Sequence, residues 1–243
     1  MQLKSDDDRV FNAAHYGAVD DGKTNSTAAF SACMAALVAA GGGKMVLPRS
    51  RLGIYRGRIV VPPTLKWMSV EIAGDLPPAP AFGTVGTIAF CANCSHVVVQ
   101  SLEPSHAADH SWDNQPPAVI SAATVTNDFS GFSSVFVTVT NLEVRTYDNP
   151  AMGGIDLAFA QQCNLKNVFV NTGAYGVQAS LPTHGTSGIV TPHIGNGAYT
   201  LLRNVVVTGF YNGVVCVGPA ISIASCWMAK PWVPLTLMLT RLR

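Results

Sequence analysis

Only 14 acidic residues occur among the 243 of this chain, so few carboxylates are available for acid–base chemistry. Hydrolysis of a glycosidic bond usually requires two carboxyl groups about 5 to 10 Å apart, one acting as acid and the other as base or nucleophile. Asp156 is the best-placed candidate, because it lies between the apolar Ile155 and Leu157 in a strand-like segment. A strand holds a carboxyl group more rigidly than a loop does. We predict Glu143 as its catalytic partner.

Three further side chains are candidates for contacting a sugar as substrate-binding residues. Arg145 lies on the same predicted strand as Glu143, and Gln178 lies one predicted repeat after Asp156. Trp112 lies in the polar, aperiodic segment 103–117, which we predict to be an extended loop. Its indole would offer a flat apolar surface to a sugar ring. The alternative for Asp156 is a solvated surface charge with no part in chemistry.

The cysteines do not indicate a metal site. Of the six, only Cys91 and Cys94 form a CxxC pair, and neither a second pair nor suitably spaced histidines complete a zinc site. No cluster of strand-borne aspartates would hold calcium. We therefore predict no metal and no cofactor. We expect buried thiols instead, with Cys163 or Cys216 facing inward.

The composition is that of a well-buried, turn-rich chain, with 48% hydrophobic residues, 12% charged residues and 22 glycines. A formal net charge of +1 gives no electrostatic reason to expect nucleic acid or an anionic membrane as a partner. The uncharged stretch from Asn204 to Ala229 is long enough to cross a bilayer, but glycines and a proline interrupt it. Because β-branched residues dominate there, we predict buried strands and no membrane partner. The N-terminal MQLKSDDDRV lacks the apolar core of a signal peptide.

An internal repeat organises the second half of the chain. The segment NVFVNTGAYGV from Asn167 aligns with NVVVTGFYNGV from Asn204, and a looser copy begins at Asn141 as NLEVRT. The three starts are separated by 26 and 37 residues. A period in the twenties is typical of one coil of a stacked β-solenoid and too short for a strand–helix–strand unit. We predict about six to eight such coils from Val46 to Val217.

The repeat also predicts which side chains face inward, because alternate residues of a strand point to opposite sides. The inward pairs are Leu142 with Val144, Val168 with Val170, and Val205 with Val207. The outward columns are Glu143, Phe169 and Val206, and beside them Arg145, Asn171 and Thr208. In the second strand of each coil we predict Ile155, Val177 and Val214 inward, with Asp156, Gln178 and Val215 outward. The three asparagines that begin the repeats are expected to serve the turns.

The N-terminal part of the sequence predicts a turn, a helix and a short strand. The segment YGAVDDGKTNST begins at Tyr16, and its Asp-Asp-Gly predicts a tight turn. Asn25 or Ser26 offers an N-cap oxygen to a helix over Thr27–Ala39. The spacing predicts a stripe on one side of this helix, made of Ala29, Cys33, Ala36 and Ala40 and widened by Phe30, Met34 and Leu37. Three glycines then end the helix, and Met45-Val46-Leu47 before Pro48 predicts a buried strand.

This order of parts resembles the N-terminus of the pectate-lyase superfamily, which includes polygalacturonase-type glycoside hydrolases, related glucanases and phage tailspikes. The resemblance covers Val10 to Leu65 and implies an all-β fold. That fold is a single-stranded right-handed parallel β-helix, the pectin-lyase-like solenoid, with an N-terminal capping α-helix. Asp20 stands where the family usually has glycine. The polygalacturonase pattern of Asn-Thr-Asp, Asp-Asp, Gly-His-Gly and Arg-x-Lys is missing, so no catalytic residue of the family can be assigned to this chain.

We predict one β-helix domain over 1–243, with a cap segment at 10–65, coils at 66–217, and an irregular C-terminal cap or truncated end at 218–243. The resemblance implies a carbohydrate-active, extracellular protein, a polysaccharide hydrolase or lyase acting on a chain bound along its outer face. The alternatives are a non-catalytic polysaccharide-binding or tailspike-like adhesion module, which would form a homotrimer, and an inactive truncated fragment. Whether the protein is an enzyme stays open at this point.

Overall fold

A computed structural model describes residues 9–77, 81–82, 88–89, 97–101, 118–122, 134–146, 152–171, 187–192, 200–210, 212–215 and 221–229. Most of these residues lie in strands, and one α-helix, α1, covers Thr27–Ala39. A short 3-10 helix, Ala13–Tyr16, follows the first strand. The strands are β1 (Val10–Asn12), β2 (Asp21–Asn25), β3 (Gly43–Leu47), β4 (Ile54–Arg56), β5 (Ile59–Val61), β6 (Met68–Gly74), β7 (Ala81–Phe82), β8 (Ile88–Ala89), β9 (Val97–Gln100), β10 (Ala118–Ala122), β11 (Val135–Arg145), β12 (Gly153–Asp156), β13 (Gln162–Asn171), β14 (Ser187–Val190), β15 (Thr200–Thr208), β16 (Asn212–Val215) and β17 (Ile221–Ala229).

The strands form a curled parallel sheet with three faces. The first face runs β1-β3-β6 and continues through the N-terminal parts of β11, β13, β15 and β17. The second face runs β2-β4-β9 and continues through the C-terminal parts of the same long strands. The third face is the five-stranded sheet β5-β10-β12-β14-β16. Among the described residues, every strand pairing is parallel except that of β7 with β8.

The inward columns agree with the repeat seen in the sequence. Leu142 pairs in register with Val168, which pairs with Val205 in the following strand. The column of Val144, Val170 and Val207 lies beside it, and all six side chains are buried. On the third face a second buried column stacks Ile59, Ile120, Ile155, Ile189 and Val214. The core is therefore a set of stacked aliphatic columns along the inside of the coils.

The repeated asparagines form a hydrogen-bonded ladder at the bend between the first and second faces. Asn141, Asn167 and Asn204 have φ angles of 55°, 55° and 53°, a left-handed conformation that asparagine tolerates better than most residues. The Asn167 amide donates to Oδ1 of Asn141 at 2.9 Å, and the Asn204 amide donates to Oδ1 of Asn167 at 3.0 Å. The expected structural use of these residues at turns is confirmed.

The predicted register of the third face is wrong in one coil. Ile189 and Val190, rather than Val177 and Gln178, are the partners of Ile155 and Asp156. The sequence alignment matched the coil through Gly176, whereas Gly188 takes the place beside Gly154 and Gly213. The connection from β13 to β14 is longer than the alignment allowed. Val177 and Gln178 themselves lie outside the described residues.

The outward columns of the second face have the predicted register, but all of their residues except Thr208 are buried. Glu143 pairs with Phe169 and Arg145 with Asn171, as the repeat indicated. Glu143 is 2% exposed and Arg145 is 4% exposed, and Phe169 and Asn171 are equally inaccessible. Alternation predicts on which side of a strand a side chain lies, but not whether another part of the chain covers that side.

Helix α1 has the bounds that the sequence predicts. Oδ1 of Asn25 accepts the Thr27 N–H at 3.0 Å, and two glycine N–H groups close the C-terminus by bonding the carbonyls of Val38 and Leu37. The predicted stripe is confirmed at Ala29 and Cys33, which are buried together with Phe30, Met34 and Leu37 on the same side. It does not extend to Ala36, which is half-buried, or to Ala40, which is exposed. The helix packs against β1, β3 and β5.

Two other expectations can be compared with the described residues. Cys163 is buried on the inward side of β13, as predicted, whereas Cys216 lies outside the described residues. Strand β17 lies in the segment for which the sequence indicated irregular structure, and it continues the parallel pairing from β15. None of the described helices is both long and apolar enough to span a membrane.

Candidate functional site

Asp156 ends strand β12 on the outward side of the third face. Its neighbours in the adjoining strands are Ser121 on one side and Val190 on the other. The carboxylate is partly buried, and Oδ1 accepts the N–H of Ala158 at 3.0 Å. Burial raises the pKa of Asp156 to about 6, and the Ala158 hydrogen bond opposes this only in part. Such a carboxyl can hold a proton close to neutral pH, as a general acid must.

Ser121 places a hydroxyl group in the strand beside Asp156. Its side chain is fully buried, and its Oγ makes no hydrogen bond within the described part of the structure. A buried hydroxyl without a partner costs free energy, so such groups often mark a functional or strained position. Asp156 and Ser121 together are the polar centre of this face.

Glu143 and Arg145 form a buried ion pair on the second face. The side-chain amide of Asn171 also donates to Oε1 of Glu143, at 2.9 Å. The structure does not bring Glu143 beside Asp156, because the two belong to different sheets. Burial also keeps Arg145 from presenting an open surface to a substrate. The described surroundings of both residues are those of an internal polar network.

The other two predicted contact residues lie outside the described residues. Gln178 was expected one strand from Asp156, and that position belongs to Val190. Trp112 belongs to a segment that the structure does not describe. Among the described residues, no group of three or more His, Cys, Asp or Glu side chains is arranged to hold a metal ion.

Replacing Asp156 with asparagine should raise the free energy of unfolding at pH 7 by about 2 kcal/mol. The folded chain holds this pKa at about 6, above the usual 3.8, so ionisation at neutral pH opposes folding. The wild type should therefore gain stability as pH falls from 7 towards 4, and the variant should lack that gain. Urea unfolding at pH 7 and pH 5 measures both. Identical pH profiles would indicate a solvated surface charge.

A groove that sequence reasoning missed lies on the outer side of the first face. Trp67 precedes β6 and stacks on Phe136 of β11, with ring centroids 5.5 Å apart and planes 29° apart. Lys44 and Glu71 form an ion pair beside the two rings, with Nζ and Oε1 3.2 Å apart. The sequence did contain one signal, a tryptophan between the polar Lys66 and a strand. Its pairing with Phe136 depends on which coils stack.

No protein-family model matches the sequence, and no curated protein matches it either. Among solved structures, ORF18 of Geobacillus virus E2 is similar with a TM-score of 0.50 at 14% identity, over 91% of this chain and 37% of that one. A candidate glycosyl hydrolase from Parabacteroides merdae has a TM-score of 0.40 at 11% identity, over 90% of this chain and 98% of that one. The A-module of the mannuronan C-5 epimerase AlgE4 from Azotobacter vinelandii has a TM-score of 0.38 at 14% identity, over 89% of this chain and 55% of that one.

The chain thus spans 37% of the length of the viral protein. At 14% identity this similarity concerns the fold alone. The curled parallel sheet is the architecture that the resemblance to the pectate-lyase superfamily implies.

Proposed function

We propose that the chain is a right-handed parallel β-helix that binds a polysaccharide along the outer side of its first face. In this proposal α1 covers the N-terminal end of the solenoid, since its buried side packs against β1, β3 and β5. Coverage of an end coil protects strand edges that would otherwise pair with other chains. An extracellular location agrees with the resemblance and is part of the same proposal.

The accessibility of the first face is the observation that carries the proposal. Its outward positions expose polar and aromatic side chains on successive strands, whereas five of the six residues in the outward columns of the second face are buried. The exposed or half-exposed residues are Lys44, Trp67, Ser69, Glu71, Phe136, Thr138, Asn164, Lys166 and Arg203. Adjacent strands lie about 4.8 Å apart, so these groups repeat along the solenoid axis. A long ligand with repeating units can contact several of them at once.

Binding without catalysis is favoured over hydrolysis because the predicted pair of carboxylates is not assembled. Glu143 lies on another sheet from Asp156 and is buried in its ion pair with Arg145. Affinity electrophoresis against plant and microbial polysaccharides, with reducing-end release measured in parallel, tests the proposal. We expect retardation by at least one polysaccharide and no release of reducing ends. The absence of retardation by every polysaccharide would contradict the proposal.

Hydrolysis is the second candidate, and the raised pKa of Asp156 favours it. A carboxyl with a pKa of about 6 can protonate a leaving-group oxygen, the role of the acid in glycoside hydrolysis. If reducing ends are released, Asp156→Asn should abolish most of the release while leaving retardation unchanged. Full release by this variant would exclude Asp156 as the acid.

A tailspike-like homotrimer belongs to the binding proposal. Trimers of this kind would form through apolar outward columns, and Phe169 and Val206 are the apolar residues of such a column on the second face. Both are buried within one chain, so they do not offer a free surface for contacts between chains. A trimer interface would have to use other residues.

A further inference from the structure

We propose that the groove around Trp67 and Phe136 is a subsite for an anionic sugar unit, one that carries a carboxylate or a sulfate ester. This inference rests on the proposed function and names its site and ligand class. The groove lies on the first face, on another sheet from Asp156. It is therefore a binding site separate from the candidate acid.

The two stacked rings supply an apolar platform. Trp67 is 65% exposed, an unusual degree for a tryptophan, and Phe136 is half-buried beside it. Stacking on Phe136 holds the indole in one orientation, so little conformational entropy is lost when a ligand binds. The C–H face of a pyranose ring can cover such a surface and remove it from water.

Polar groups next to the rings can hydrogen-bond sugar hydroxyls. Oε1 of Glu71 accepts the Thr140 hydroxyl at 2.9 Å and pairs with the ammonium of Lys44. Thr138 is the register partner of Glu71, and Ser69 is exposed between Trp67 and Glu71. The groove has a volume of about 750 Å³, within the usual range of about 300 to 1,000 Å³ for ligand sites. An apolar platform beside a few fixed polar groups is the usual composition of such a site.

The charges around the groove favour a negative ligand. Among the described lining residues, Arg9 and Lys44 carry two positive charges and Glu71 carries the single negative charge. Lys44 pairs with Glu71, and no described carboxylate pairs with the exposed Arg9, whose neighbours Asp6, Asp7 and Asp8 lie outside the described residues. A guanidinium group binds a carboxylate or sulfate through two parallel hydrogen bonds.

Glycines shape the wall of the groove. A Cβ atom at Gly43 would clash with the carbonyl oxygen of Arg9, and one at Gly42 would clash with that of Ser69. Both residues also have positive φ angles, 106° for Gly42 and 148° for Gly43. The glycine run that ends α1 therefore lets the backbone of Arg9 approach β3. Arg9 therefore lines the same groove as the aromatic platform.

Titration calorimetry with three oligosaccharide classes, uronic acid, sulfated and neutral, tests the inference on the full chain. We expect tighter binding of at least one anionic class than of the neutral one. Trp67→Ala should weaken binding of the anionic oligosaccharide about tenfold. Arg9→Gln should weaken the same binding about threefold at low salt and remove most of its salt dependence. Leu65→Ala and Arg49→Gln, which change exposed residues outside the groove, should leave affinity unchanged.

The outcomes separate this inference from the proposed function. If the wild type binds no polysaccharide in affinity electrophoresis, the proposed function fails. If it binds, but Trp67→Ala and Arg9→Gln bind as tightly as the wild type, the subsite is wrong and the proposed function stands. Equal affinity for neutral and anionic classes would overturn the charge preference. Multi-angle light scattering controls for self-association, because a change of oligomeric state in Trp67→Ala would assign the rings to a contact between copies.

Discussion

Replacing Arg145 with methionine should lower the free energy of unfolding by about 3 to 5 kcal/mol. The guanidinium group is buried beside Glu143, whose Oε1 also accepts the Asn171 amide. Without the arginine, a carboxylate stays in a site with little water and loses the positive charge of its ion pair. The loss should therefore exceed that expected for an exposed ion pair, about 0 to 1 kcal/mol. Urea unfolding at pH 7 measures it.

The double variant Glu143→Gln with Arg145→Met is the matched control. It removes both charges, so its stability should lie well above that of Arg145→Met and closer to the wild type. If both variants lose the same free energy, the effect comes from packing rather than from an uncompensated charge. A loss below about 1 kcal/mol in Arg145→Met would show that the second face is accessible to water.

Replacing Asp20 with asparagine should cost about 3 kcal/mol of unfolding free energy. The carboxylate is buried and accepts the N–H groups of Ser50, Arg51 and Gly53 at 2.8, 2.6 and 3.0 Å. The Ser50 hydroxyl donates to it as well, at 2.7 Å. An asparagine can turn its one oxygen towards the three N–H groups, but it removes the negative charge that strengthens these hydrogen bonds and places an NH2 group opposite the Ser50 hydroxyl. Thermal and urea unfolding at pH 7 measure the loss.

The same carboxylate predicts a pH dependence. Burial alone would raise the pKa of Asp20, but the hydrogen bonds from Arg51, Ser50 and Gly53 outweigh burial and lower it. Its stabilising contribution is therefore complete above the unfolded pKa of about 3.9 and is lost as pH falls through the lower folded value. The Asp20→Asn variant should lack that acid-side loss. Asp21→Asn tests the same relation at the neighbouring, less buried residue, because hydrogen bonds from Thr24 and Lys23 lower the pKa of Asp21 to about 2.

Local and periodic signals in the sequence were sufficient for much of the fold. Helix α1 has its predicted bounds because both of its ends are set by nearby residues, Asn25, which accepts the Thr27 N–H, and the glycine run. The inward columns and the ladder of Asn141, Asn167 and Asn204 follow from a repeat whose spacing equals the spacing of stacked coils. The helix ends depend on residues close in the chain, and the columns and the ladder depend on the length of the repeat. None of these features depends on which distant segments of the chain meet.

The candidate site was less predictable, because it depends on distant segments. Asp20 was interpreted as a turn residue, whereas its carboxylate binds a loop of the next coil, 30 to 33 residues away. The sequence predicts Gln178 as the neighbour of Asp156 in the next strand, whereas Val190 has that position. The difference arises because the length of a loop between coils does not follow the repeat. Trp67 and Phe136 meet only because β6 and β11 are adjacent in the first face.

The sequence by itself determined the repeat, the direction of the strand side chains, the use of the repeated asparagines at turns and the helix with its glycine end. Each follows from the geometry of a strand or helix and from the conformational preferences of Asn and Gly. Tertiary structure alone decided that Glu143 and Arg145 are buried, that Asp156 lies on another sheet from Glu143, and that an aromatic groove opens on the first face. The physical reason is that burial and pairing between coils depend on the lengths and paths of loops, which residue alternation does not encode.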